Sequence, residues 1–298
     1  MNRIPKTTFL ALLAAFNLSS CATQQLQPQS PPQSEQVDVM EEPKLPPSPH
    51  MKEEPKLPPP QHIQIADRKA TIVGEKIWMI EGAAQVENLT VWKEGDTFAS
   101  LGIGSFKWYP AGIESLDNEF PQLLEFLQQQ RIALPEWLQS KPACPWNSRE
   151  EFDNNIDSAK MLRLRKLLGN TFPQQVRFII KRLERDLPTM LDVLPTDEKR
   201  EHVREQFYRV AQKPVGIYAL IDYVNFQGKG ISLNEPYQDD GWGLLQVLEN
   251  MPGTSSNVMG EFARAADKLL RRRAHSTPKD EHLLPGWRHR LKTYTYEF

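Results

Sequence analysis

The chain has 298 residues, with 36 lysines and arginines against 38 aspartates and glutamates, giving a formal net charge of −2. That balance argues against a nucleic-acid binder working through a basic surface. Two cysteines are too few for a disulfide scaffold or for a zinc site of three or four thiolates, and no run approaches the roughly 18 apolar residues that span a bilayer.

Arg3 and Lys6 precede a short apolar core, Phe9 to Phe16, followed by Leu18-Ser19-Ser20-Cys21. This order reads as a secretory signal over residues 1–20. Its last four residues look like a bacterial lipobox, which makes Cys21 the expected lipidation site and new N-terminus. The alternative is a plain signal peptide with a chance cysteine. Acyl chains anchor a protein because each buried methylene contributes about 0.8 kcal/mol. Ala22 stands where an aspartate would favour retention at the inner membrane. The expected location is therefore the outer membrane, facing the periplasm. Cys144 is left without a partner, and a buried thiol is expected there, since an exposed one is a liability in an oxidising compartment.

Residues 21–66 read as a Pro/Gln-rich linker. The run Glu41-Glu42-Pro43-Lys44-Leu45-Pro46-Pro47 recurs as Glu53-Glu54-Pro55-Lys56-Leu57-Pro58-Pro59, a duplicated spacer. At about 3.1 Å per residue, roughly 45 such residues reach on the order of 140 Å when extended.

Residues 67–298 carry the folded domain. Val73, Ile77, Ile80 and Ala84 are expected on one helical face, and Leu123, Leu124 and Leu127 mark a second helix. Ser148 followed by Glu151 has the form of a capping box. Val176, Ile179, Ile180, Leu183 and Leu187 make an apolar stripe, and Thr196-Asp197-Glu198 reads as another helix start. Further helices fit 215–226, 241–250 and 257–274. Only 89–109 reads as β, with a polar turn at Lys93-Glu94-Gly95-Asp96 and a strand running on from Phe98 to Trp108. The expected fold class is α+β, mainly helical with a small antiparallel hairpin sheet.

Glu81 follows Ile77 by four positions and Trp78 by three, so it shares their face, and Gly82 suits a helix end. Apolar neighbours and the negative end of the helix dipole are both expected to favour its protonated form, as a general acid requires. The other reading is a solvated glutamate at a frayed end. Glu94 and Asp96 lie in the hairpin turn, Ser100 follows, and Gly102 and Gly104 would let a ligand approach the backbone. An acid, a second carboxylate and a hydroxyl can surround a glycosidic oxygen. The Gly-x-Gly is not followed by the helix and acidic residue of a dinucleotide site.

These residues resemble the phage-type (endolysin) lysozymes of the lysozyme-like superfamily. That family has a helix ending in Glu-Gly, a hairpin with an acidic residue, and a strand reading Thr-Ile-Gly-x-Gly-His. Here the matching residues are Glu81-Gly82, Glu94 and Ser100-Leu101-Gly102-Ile103-Gly104-Ser105. Serines replace the family threonine and histidine. A second block, Ala219-Leu220-Ile221-Asp222-Tyr223-Val224-Asn225-Phe226 with Gly228, is similar to a buried helix ending in Asn-x-Gly. Leu284-Pro285-Gly286-Trp287-Arg288-His289-Arg290 looks like the family's Leu-Pro-Gly-Leu-x-x-Arg-Arg segment. The resemblance implies a muramidase-like hydrolase acting on peptidoglycan glycan strands without cofactor or metal. It implies Glu81 as proton donor, Glu94 or Asp96 as the second carboxylate, and Ser100 as the group orienting water. Asp96, Gly102, Gly104, Trp108 and Asn225 are the expected substrate contacts. Trp92, Tyr109 and Trp242 are further candidates for stacking on sugars, with core packing as the alternative. A degenerate relative that binds glycan without cleaving it is the competing reading.

Two other candidates carry less. Cys144 lies between Pro142 and Pro145, away from any helix start that would activate a nucleophile. His275, His282 and His289 recur every seven residues, but Pro278 and Pro285 are expected to break any helix joining them.

Overall fold

The computed structural model describes residues 62–231 and 241–298. The signal, Cys21 and the duplicated spacer lie outside the described residues. Those that are described fall within one compact unit, Leu57–Phe298. It is mostly helical with one three-stranded antiparallel sheet, an α+β arrangement.

Helix α1 (Asp67–Glu81) buries Ala70, Val73, Gly74 and Ile77. At 100° per residue these four fall on one narrow stripe, and Glu81 continues its centre while Ile80 sits at its edge. Ile80 is accordingly 37% exposed, and Ala84 lies past the helix end, so neither belongs to the face expected of it. The stripe packs on α5 (Phe172–Asp192), which carries the predicted run of Val176, Ile179, Ile180, Leu183 and Leu187. Gly74 is required at the crossing, because a Cβ there would lie 2.8 Å from Phe172 Cβ. Ahead of α1, Ile63 and Ile65 already pack on the core, and the Ile63 amide donates to Glu184 at 2.7 Å.

The predicted hairpin is a meander of β1 (Thr90–Val91), β2 (Ala99–Leu101) and β3 (Phe106–Trp108), in that spatial order. The single strand expected from Phe98 to Trp108 is split in two: it breaks after Leu101, where Gly102 takes φ +68° and Ser105 N–H closes a turn onto Gly102 O at 3.3 Å, and the chain returns as β3 from Phe106. Register pairs Val91 with Ser100 and Ser100 with Lys107, placing all three on one face. Thr90, Ala99, Leu101, Phe106 and Trp108 take the other face and are buried.

Helix α2 (Phe120–Gln129) covers the sheet's β3 side, burying Leu123, Leu124 and Leu127 as expected. Ser148 caps α3 (Arg149–Asn154) by accepting from Glu151 N–H, while the Glu151 carboxylate turns to Asn147 rather than closing the box on Ser148. Helix α4 (Ala159–Gly169) was not expected. Its buried face includes Arg165, which breaks the apolar pattern and donates to Thr90 Oγ1 at 2.8 Å. After α5 come α6 (Asp197–Ala211), capped by Thr196, and α7 (Pro214–Gln227), which is buried nearly all round. Helix α8 shortens the predicted 241–250 to Leu244–Glu249, and α9 runs Val258–Ser276. Helix α10 (Leu284–Lys292) carries Pro285 in its first turn, where the missing N–H costs nothing and the fixed φ suits a helix start.

Candidate functional site

Glu81 ends α1, and Gly82 N–H closes the last turn onto Trp78 O at 2.8 Å. Ala83 and Ala84 then take left-handed φ values of 47° and 54°, reversing the chain. Each costs roughly 1–2 kcal/mol in a residue with a Cβ. The reversal is held by Asn88 Nδ2 on Gly82 O at 3.0 Å and by Trp78 Nε1 on Gln85 O at 3.1 Å.

The environment of Glu81 differs from the apolar one expected. Its side chain is 32% exposed, and it accepts a hydrogen bond from Nη2 of Arg290 on α10. The same Nη2 also donates to Asp222 Oδ1 at 2.8 Å, and Arg290 Nε donates to Asp222 Oδ2 at 2.8 Å. Asp222, on α7, has no solvent exposure and also accepts from Tyr294 O–H at 2.6 Å. The guanidinium lies 4.6 Å from the Phe226 ring centroid. Burial works against the Arg290 cation, but its hydrogen bonds to Asp222 and the charges of Asp222 and Glu81 outweigh this and raise its pKa. The Glu81–Arg290 hydrogen bond spans 209 positions, and Arg290 couples the two sequence blocks that carried the resemblance. Asp222 and Arg290 stand inside those blocks, in which Asn225 is the expected substrate contact. Asn225 is exposed on the last turn of α7, three residues after Asp222. The signal for Asp222 was an acidic residue inside an otherwise apolar helix, which demands a buried partner.

The hairpin acids sit apart from this group. Glu94 is 95% exposed and pairs with Arg149 of α3 at 3.8 Å. Asp96 contributes its backbone oxygen to Trp92 Nε1 at 2.8 Å. Ser100 lies on the central strand, 9% exposed, between Val91 and Lys107. Among the described residues no hydrogen bond or ion pair joins Glu81 to Glu94, Asp96 or Ser100.

The close approach permitted by the two glycines is used by the protein itself. A Cβ at Gly102 would lie 2.3 Å from Gln175 Oε1, and one at Gly104 would lie 2.6 Å from the Phe106 ring. Gln175 of α5 accepts from Ile103 N–H at 3.0 Å and donates to Leu168 O at 2.7 Å, locking the turn.

The aromatic candidates divide. Trp108 has no exposure, packs on Phe120, Trp137 and Trp146, and donates to Pro142 O at 2.9 Å. It is core, not a sugar platform. Trp92 and Tyr109 are also buried. Trp242 is half-buried, with the Arg273 guanidinium 5.1 Å from its ring and 5.0 Å from that of Trp287.

A polar cluster that sequence reading missed lines the Ser100 side of the sheet. Lys107 pairs with Asp117, which also accepts from Ser115 and, at 2.9 Å, from Tyr109 O–H. Burial alone would raise the Asp117 pKa, but hydrogen bonds from Lys107, Ser115 and Tyr109 bring it down to about 2. The hydrogen bond to Asp117 raises the Lys107 pKa and favours its charged form. Cys144 is buried, and that burial pushes its pKa up to about 12, which leaves an inert thiol. His275, His282 and His289 fall on separate helical segments, and among the described residues no group of three potential metal ligands gathers. No family model, curated protein or solved structure matches the chain.

Proposed function

We propose that this protein is a peptidoglycan glycan-strand hydrolase, muramidase-like, held at the outer membrane by lipid on Cys21. The observation that carries the reading is the Arg290 bridge between Glu81 and Asp222. It draws the helix-ending Glu-Gly and both C-terminal segments into one polar group. A small antiparallel sheet follows directly after Glu81 in the chain. In the reaction, the Glu81 proton passes to the glycosidic oxygen as the bond to the anomeric carbon breaks. Water adds to that carbon, and its proton goes to the second carboxylate, Glu94 or Asp96 in this reading. Ser100 orients the water. Among the described residues no helix is long and apolar enough to cross a membrane.

A second reading is favoured by the exposure of Glu94 and its pairing with Arg149. It is a lipoprotein that binds glycan strands without cutting them. Purified cell wall incubated with the full chain separates the two. Release of reducing ends by wild type and its loss in Glu81→Gln support the hydrolase. Equal sedimentation of both with wall, and no release by either, supports the binder. Failure of the wild type both to sediment and to cleave removes both. For the anchor, Cys21→Ala is expected to move the protein from the membrane to the soluble fraction, and retention in the membrane would refute it.

A further inference from the structure

Helix α9 presents Arg264, Lys268, Arg271 and His275 to solvent, spaced so that at 100° per residue they fall within about 60° of arc. Its other side buries Phe262, Ala265, Ala266, Leu269, Leu270 and Ala274. Like charges four positions apart on a helix destabilise it. Helix α6 avoids this by pairing Arg200 with Asp197 and Arg204 with Glu201. The α9 stripe does not. Asp267 is shared between Arg271 at 3.1 Å and Arg288 of α10 at 2.7 Å. Lys268 donates to the neutral Asn250 Oδ1 at 2.9 Å. Among the described residues, no ion pair engages Arg264 or Lys292.

The Arg288–Asp267 bond joins this stripe to α10, where a shallow groove of about 490 Å³ is lined by Glu281, Leu284, Pro285, Arg288, His289 and Lys292. Leu283, just before α10, is 39% exposed. Across the two helices five cations, Arg264, Lys268, Arg271, Arg288 and Lys292, stand against the acids Asp267 and Glu281, on a chain whose formal net charge is −2. The positive surplus is therefore local to this surface, and it complements an anionic partner. Apolar side chains set among the cations fit a bilayer interface, where one part of the contact is charged and the other is not.

We infer that the α9–α10 surface docks on an anionic phospholipid bilayer. The inference rests on the lipid anchor at Cys21 for its setting and is independent of the hydrolase reading. An acyl anchor keeps the domain at high local concentration over the bilayer, so a weak electrostatic contact is enough to orient it. Lipid phosphates meet Arg288, His289 and Lys292 along the groove, while Leu283 and Pro285 enter the headgroup layer. Arg290 leaves α10 at about 140° or more from Pro285, Arg288 and Lys292. Docking by the groove therefore turns Arg290 and its partner Glu81 away from the lipid. Without the acyl chain the attraction is screened at physiological salt, so an unlipidated chain leaves the membrane.

The test sediments the full Cys21→Ala chain with phosphatidylglycerol or phosphatidylcholine vesicles at low salt. Binding is expected to be roughly tenfold or more tighter to phosphatidylglycerol. Arg264→Gln, Lys268→Gln and Lys292→Gln together should weaken it about 100-fold, at about fivefold per cation. Lys93→Gln, Arg163→Gln and Lys166→Gln remove the same charge from exposed positions on the hairpin and α4, and should weaken it less than about fivefold. Binding through the apolar N-terminal run is common to all these chains and both lipids, so it cancels in the comparison. Equal losses in the two triple variants, or no preference for phosphatidylglycerol, overturns the inference. If the α9–α10 variant does not fold, salt provides the check. Raising it from about 50 to 300 mM should weaken the parent chain's binding by roughly tenfold or more, and salt-independent binding overturns the inference. Sedimentation with purified wall that the α9–α10 variant loses, with no preference between vesicles, assigns the surface to a wall polyanion and also overturns it. Vesicle preference without wall cleavage removes the hydrolase reading alone. Vesicle preference in a Cys21→Ala chain that stays with the membrane at physiological salt removes the anchor alone.

Discussion

Gly102→Ala is expected to destabilise the domain by about 2–5 kcal/mol, in two separable parts. The first is conformational, since Gly102 sits at φ +68°, where a Cβ costs roughly 1–2 kcal/mol. The second is a contact, because the new Cβ would lie 2.3 Å from Gln175 Oε1. Gln175 must then withdraw from Ile103 N–H, now 3.0 Å away, and leave a buried donor unpaired at about 1–3 kcal/mol. Gly95 provides the control. Its φ is +84°, yet a Cβ there would meet nothing within 4 Å. Gly95→Ala therefore carries the first cost without the second. Thermal unfolding of the two variants should show losses of about 2–8 °C for Gly95→Ala and about twice that or more for Gly102→Ala, at about 2–4 °C per kcal/mol for a domain of this size. A Gln175→Ala background isolates the contact, and there the extra penalty of Gly102→Ala should disappear. Equal losses at the two glycines, or an extra penalty that survives removal of Gln175, would refute the assignment of this turn to packing on α5.

Arg290→Gln leaves the Asp222 carboxylate buried without its cation, and a loss of about 3–5 kcal/mol in denaturant unfolding is expected; a loss below 1 kcal/mol would show that the bridge carries no structural load. Ala83→Gly and Ala84→Gly relieve left-handed strain and should each stabilise by up to about 1 kcal/mol, measured in the same way; destabilisation by either would contradict the backbone assignment. Asp117 has its folded pKa depressed to about 2 from 3.8, so its contribution is present above about pH 4 and is lost as pH falls through 2. With the side chain 46% exposed, solvent screening limits this to about 1 kcal/mol or less. The stability gap between wild type and Asp117→Asn should close between pH 4 and 2, and a gap independent of pH would sink the reasoning. In a Cys21→Ala chain, Cys144 should resist a thiol reagent at pH 8 until denaturant is added, whereas rapid reaction of the folded protein would contradict its burial.

Local pattern made much of this protein readable in one dimension. The stripe of α5 and the Thr196 cap follow from the 3.6-residue period and from side chains that satisfy orphan amides. The helix carrying Glu81 and the β segment after it were legible for the same reason. Geometry across the chain was not. Gly102 and Gly104 promise open backbone in sequence, but Gln175 and Phe106 fill that space, and only packing can decide who occupies a gap. Trp108 looks equally ready for a sugar or for a core until Phe120, Trp137 and Trp146 close around it. Helix α4 escaped notice because Arg165 interrupts its apolar face, and its partner Thr90 lies 75 residues away. Arg290, Asp222 and Glu81 belong to three helices, and nothing in their spacing says that one guanidinium serves both acids. Secondary structure is written by neighbours a few positions apart, whereas the charge state of a site is set by groups that only the folded chain brings within hydrogen-bond reach.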